Sequence, residues 1–223
     1  MFLPKLSPFI VKHYRDNALM MKLGVGKNWR FVDVLGLEAE PLTLVPKECC
    51  ALMLLFPLTQ QHESFRQQQA DKVARGSDAY FLKQTSVNSC GTIALLHAVG
   101  NNQTKMTFED GSVLKKFLDE TAKMSAKDRA EHLNMNKAIH SAHNEIASQA
   151  QCVPEADKIN FHFIAFVNIN GQLLEFDGMM NGPLNHGPTK DNTLVTDAAK
   201  VCRDFVKRGQ GELRFSAVAL CRQ

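Results

Sequence analysis

The chain has 223 residues, 44% of them hydrophobic and 22% charged, which is enough apolar content to bury a sizeable core and argues against a disordered polymer. A formal net charge of +3, with Lys and Arg never in runs longer than two, offers no clustered face for phosphates and argues against nucleic-acid binding. The longest apolar run, residues 49–58, is far short of the roughly 20 residues that a membrane helix needs, so no bilayer span is expected.

The first helix is expected from Asp16 or Asn17, carrying Leu19, Met20 and Leu23 before Gly24. Residues 1–15 are basic and lack acidic side chains, but Pro4 and Pro8 break the amphipathic helix that a transit segment requires, so they are read as part of the fold. Residues 30–34 alternate as a strand. Residues 50–58 are nearly all apolar, as in a central strand covered on both faces. A polar helix over 60–75 and a short extended stretch at 80–83 follow.

Ile93, Leu96 and Val99 recur at helical spacing, which puts Cys90 at or just before a helix N-terminus with Asn88 as a candidate cap. Three helices are expected over 112–124, 125–132 and 137–149, the second opened by the capping box Ser125–Asp128. Pro154 interrupts a loop at 150–157. Asn170-Gly171 then joins two strands, 159–167 and 172–177, as a tight hairpin. A helix over 196–208 and a strand over 213–220 complete an α+β domain, a central mixed or antiparallel sheet covered by helices, read as one domain spanning 1–223.

The six cysteines include no C-x-x-C pair and no His at metal-ligand spacing, so neither a zinc site nor a cofactor is expected. In a chain of this length reduced thiols are the expectation, with Cys49, Cys50 and Cys202 as small buried residues, Cys152 exposed on the 150–157 loop, and a cytoplasmic monomer as the setting. The C-terminal Cys221-Arg222-Gln223 is one residue short of a prenylation signal.

The hairpin carries a geometric consequence. With Asn170 and Gly171 central in the turn, Ile169 faces Gln172 and His162 faces Met179, so Asp177 is a same-face diagonal neighbour of His162, about 7–8 Å away between backbones. His162 lies among Phe161, Phe163, Ile164, Ala165 and Phe166, where an unpartnered imidazole costs about 1–3 kcal/mol, and Asp177 can supply the partner. A satisfied core histidine is the plain alternative. A thiol at a helix N-terminus is the position where the dipole and free N–H groups favour the thiolate, which makes Cys90 a candidate nucleophile; a small buried thiol is its alternative. Gln84, six residues earlier, offers an amide donor for an oxyanion, and the order Cys, His, orienting residue is that of papain-like enzymes.

The segment from Gln84 to Thr92, with Asn160-Phe161-His162-Phe163 and Glu175-Phe176-Asp177-Gly178, resembles the active-site signature of ubiquitin carboxyl-terminal hydrolases. The likeness runs from about Leu23 to Cys221, and residues 1–18 depart from the family pattern. It implies a knotted, papain-like α/β fold and a thiol hydrolase that removes small adducts or short peptides from the C-terminal glycine of ubiquitin. In that reading Cys90 is the nucleophile, His162 the base, Asp177 the orienting residue and Gln84 the oxyanion donor, while residues 150–157 form a crossover loop that limits the leaving group. The resemblance also implies that Asp33, Arg214 and Phe215 meet ubiquitin. The alternative is a protein that holds free ubiquitin with little turnover.

Overall fold

The computed structural model describes residues 12–74, 78–86, 89–148, 160–212 and 214–223. In chain order the elements are α1 (Lys12–Lys22), β1 (Trp29–Val34), α2 (Ala39–Leu42), β2 (Cys49–Pro57), α3 (Gln60–Gln69), α4 (Cys90–Gly100), α5 (Val113–Thr121), α6 (Ala126–Met135), α7 (Lys137–Ser148), β3 (Phe161–Ile169), β4 (Gln172–Phe176), β5 (Leu184–Pro188), α8 (Leu194–Arg208) and β6 (Ser216–Arg222). The strands form one sheet in the order β1-β6-β2-β3-β4-β5, with every neighbouring pair antiparallel.

All nine residues of β2 are buried, because the strand lies mid-sheet with helices on both sides. Ala51 and Met53 join a core shared with Ile93, Leu96 and Val99 of α4, while Leu52, Leu54 and Phe56 pack on the other side with Ala198, Cys202 and Phe205 of α8. The continuous apolar pattern of this segment is the signature of that two-sided cover. The hairpin forms as its turn residues require: Asn170 and Gly171 both adopt positive φ (51° and 79°), and Ile169 faces Gln172.

Several elements differ from the sequence expectation. Helix α1 begins at Lys12, ahead of Asp16, and α3 ends at Gln69 rather than near residue 75. Strand β5 and the four-residue α2 carry no clear period; β5 is an edge strand whose Leu-Asn-His-Gly-Pro sequence only an edge tolerates. The reading of Cys49 as a free thiol is corrected: it forms a disulfide with Cys221 across β2 and β6. The two residues are 172 positions apart and meet only through the non-local ladder. Cys50 and Cys202 are free and buried, as expected. Asn88, Cys152 and the 150–157 segment fall outside the described residues. No helix among the described residues is long and apolar enough to cross a membrane.

Candidate active site

Cys90 is the first residue of α4, where the opening turn leaves backbone N–H groups without helical partners. Ser89 precedes it as N-cap with its hydroxyl turned to the Ser86 carbonyl (2.8 Å) and not to the helix, so those N–H groups stay available. Burial raises the Cys90 thiol, but a hydrogen bond with His162, the charge of that imidazole, and the backbone N–H groups of Phe163 and Gly91 outweigh it, and its pKa is lowered.

His162 is 2% exposed on β3 and packs edge-on to Phe56 at 5.8 Å. Its Nε2 lies 2.7 Å from Asp177 Oδ1, which leaves Nδ1 for the thiol. Burial lowers its pKa, yet Asp177 and Cys90 prevail and it is raised to about 9. Thiol and imidazole are therefore shifted toward the thiolate–imidazolium state.

The structure also settles how Asp177 is held. The ladder between β3 and β4 ends at Ala165–Phe176, so Asp177 is the first residue beyond it. Its Oδ1 accepts a second bond from the Met179 N–H at 2.8 Å, and its Oδ2 lies 3.1 Å from Nε of Arg66 on α3. Burial raises the Asp177 pKa, but these partners, His162 foremost, hold it below the ordinary value. Arg66 was not legible beforehand: α3 reads as a uniformly polar helix, and nothing local marks which of its side chains turns inward.

Gln84 is tied to the same construction, because its N–H donates to the carbonyl of Gly178 at 2.7 Å. A Cβ on Gly178 would sit 2.8 Å from Ile93 Cγ2 and 3.1 Å from Gln84 Cβ, so glycine permits this approach. The side-chain amide of Gln84 donates to Ser86 O at 3.2 Å, and its second hydrogen has no partner among the described residues. Behind Asp177 a small cavity of about 20 Å³ is lined in part by His62, Arg66 and Glu175. His62 is 3% exposed with neither ring nitrogen hydrogen-bonded; burial, with Arg208 and Arg66 nearby, lowers its pKa to about 4.

The other sequence-nominated residues lie elsewhere. Asp33 is half-buried on β1, and the half-buried Arg214 forms a bidentate pair with Glu212 at 2.8 and 2.7 Å. Phe215, the residue just before β6, is 1% exposed and packs in the core beneath α8 against Gly209. Among the described residues no three His, Cys, Asp or Glu side chains group as metal ligands.

A partly exposed thiol whose pKa an imidazole lowers, the imidazole in turn meeting a buried carboxylate, can carry out nucleophilic acyl transfer, the chemistry of a cysteine hydrolase. The family model for ubiquitin carboxyl-terminal hydrolase, family 1, matches residues 16–207. The chain is 55% identical to ubiquitin carboxyl-terminal hydrolase isozyme L1 of Homo sapiens over 222 residues, covering 98% of this chain and 99% of that one. It is 51% identical to the isozyme L1 of Monodelphis domestica, again with 98% and 99% covered. Among solved structures, the catalytic domain of Trichinella spiralis UCH37, bound to ubiquitin vinyl methyl ester, shares the fold with a TM-score of 0.75 at 20% identity, covering 95% of this chain and 93% of that one. The chain belongs to ubiquitin carboxyl-terminal hydrolase family 1 and is a cysteine-type deubiquitinating hydrolase. The alignment with the human relative extends beyond the span from Leu23 to Cys221 that the sequence motifs cover.

Proposed function

We propose that this chain is a single catalytic domain that cleaves small adducts or short peptides from the C-terminal glycine of ubiquitin, with Cys90, His162, Asp177 and Gln84 as its catalytic residues. The observation that carries this reading is the relay from Cys90 through His162 to Asp177, closed by the 2.7 Å contact between the last two. The Cys90 thiolate attacks the glycine carbonyl carbon. The oxyanion that forms is held by the Cys90 backbone N–H and the free amide hydrogen of Gln84. Imidazolium His162 gives its proton to the leaving group as the carbonyl re-forms, and then takes a proton from the water that hydrolyses the thioester; collapse expels the Cys90 thiolate, which restores the thiolate–imidazolium pair and frees ubiquitin.

Against the effect of burial, the Cys90 pKa is lowered mainly by His162, which supports a reactive thiol and so turnover over mere retention of free ubiquitin. The continuous sheet, built from strands between Trp29 and Arg222, supports one domain. Asp33 and Arg214 are proposed as ubiquitin contacts on the strength of the family resemblance, and a cytoplasmic monomer remains the proposed setting. Cys90→Ala should abolish hydrolysis of a ubiquitin C-terminal ester while ubiquitin still binds; a variant that keeps more than a few per cent of the rate would remove Cys90 from its role. The size limit on the leaving group rests on residues 150–157. Di-ubiquitin should be a poor substrate for the parent and a better one after about ten Gly or Ser residues are inserted there, an insertion whose closure cost is small. Rapid parental cleavage of di-ubiquitin would exclude that limit.

A further inference from the structure

Beside the nucleophile lies a cavity of about 400 Å³, within the roughly 300–1,000 Å³ usual for ligand sites. Its near wall is the active-site run itself: Thr85 and Ser86 continue from Gln84, Ser89 adjoins Cys90, and Thr92 and Ile93 lie within the first turn of α4. The opposite wall is α7, the helix that leads directly toward residues 150–157. The space therefore opens between the nucleophile's helix and the helix that enters the proposed crossover segment.

The described lining holds no Asp, Glu, Lys or Arg. Ile93, Leu133 and Ile139 give it an apolar floor. Its polar groups bond to one another: Ser86 Oγ to Asn134 Oδ1 at 2.8 Å, Asn134 Nδ2 to Thr85 Oγ1 at 2.9 Å, and Thr92 Oγ1 to His143 Nδ1 at 2.8 Å. A charged side chain placed here finds no carboxylate, ammonium or guanidinium to pair with in the described lining. Ubiquitin's own C-terminal tail is basic and calls for carboxylates that this lining lacks, so the tail is not the occupant.

We propose that this cavity is the leaving-group subsite, and that it receives an uncharged residue directly following the scissile glycine. The proposal rests on the hydrolytic reading above and adds the side chain that the enzyme prefers to release. Its test uses ubiquitin extended by one residue with an amidated C-terminus, Ser, Leu, Glu or Lys amide, beside a ubiquitin C-terminal ethyl ester that has no side chain to place in the cavity. The parent should cleave the Ser and Leu extensions with a kcat/KM about tenfold above that for Glu and Lys. Asn144→Glu, an exposed position on the α7 wall, should raise the Lys-to-Glu ratio by about fivefold, the scale of one solvent-exposed charge pair, and Asn144→Lys should lower it by as much, with ester hydrolysis unchanged in both. Equal cleavage of all four extensions, or a Lys-to-Glu ratio that neither variant moves while the ester is hydrolysed normally, would overturn the subsite. Failure of the parent to hydrolyse the ester would remove the reading on which the proposal rests, and the proposal with it.

Discussion

The Nε2 of His162 and the Oδ1 of Asp177 meet at 2.7 Å although their strands have stopped pairing three residues short of His162, at Ala165 and Phe176. What holds the carboxylate beyond the ladder is a set of partners from outside the hairpin: Arg66 on its Oδ2, the Met179 N–H on its Oδ1, and the Gly178 carbonyl bonded to the backbone of Gln84. The hairpin sets direction, and α3 and the 84-segment set position. Asp177 and Gln84 are thus parts of one bonded unit.

Replacing Asp177 by Asn should lower kcat by about a hundredfold or more, because an amide cannot stabilise the imidazolium. The pH profile gives a second readout. In the parent the alkaline limb of kcat/KM follows loss of the His162 proton near pH 9. Asp177 is the main force raising that pKa, so in the variant the proton leaves at lower pH and the limb moves toward the ordinary imidazole value of about 6.5. The less stabilised thiolate moves the acid limb the other way, and the active range narrows. A profile of unchanged width would separate Asp177 from the titration of the pair.

Gly178→Ala should damage activity without touching a titrating group. Its added Cβ would meet Ile93 Cγ2 at 2.8 Å, a distance real Cβ atoms do not adopt, and Gln84 Cβ at a tight 3.1 Å, so either the Gln84–Gly178 hydrogen bond lengthens or α4 shifts. The expected cost is about 1–3 kcal/mol of stability and about tenfold in kcat, with KM for ubiquitin substrates little changed. Urea unfolding and steady-state kinetics on the purified variant check both, and wild-type values in both would show that the contact relaxes freely.

The part of this site visible in the sequence is the part set by local rules. Asn170-Gly171 fixes a turn with two positive φ angles, the turn fixes the register, and the register directs His162 and Asp177 toward the same region, although the ladder itself stops at Ala165 and Phe176. The period of Ile93, Leu96 and Val99 likewise places Cys90 at a helix start. Arg66, the pairing of Cys49 with Cys221 and the inward turn of Phe215 depend on which distant elements pack together, and no local pattern encodes that. Strand β5 escaped for a related reason: at an edge, a Gly-Pro sequence with no alternation can still pair on one side.

Stability should fall on mild acidification, and of the histidines outside the relay His62 and His97 carry the large shifts, with His143 lowered by burial as well. His62 is stacked on Phe205 and packed on Phe56 with neither nitrogen bonded, and His97 is fully buried against Phe81 and Phe176; both pKa values are lowered to about 4, chiefly by burial. In the unfolded chain an imidazole titrates near 6.5. Between about pH 6.5 and 4 the unfolded state therefore binds protons that the folded state refuses, and folding free energy is lost as pH falls through that range, levelling off below it. His162, raised to about 9, is protonated in both states there and adds no slope. Each buried imidazole contributes up to about 3 kcal/mol. His62→Phe should remove about half of the loss, since the larger ring can use the small adjoining cavity and His62 gives up no hydrogen bond. Urea unfolding of parent and variant at pH 7.0, 5.5 and 4.5 checks this. Parallel stability curves for the two proteins would mean that His62 is protonated in the folded state and finds a partner for its charge.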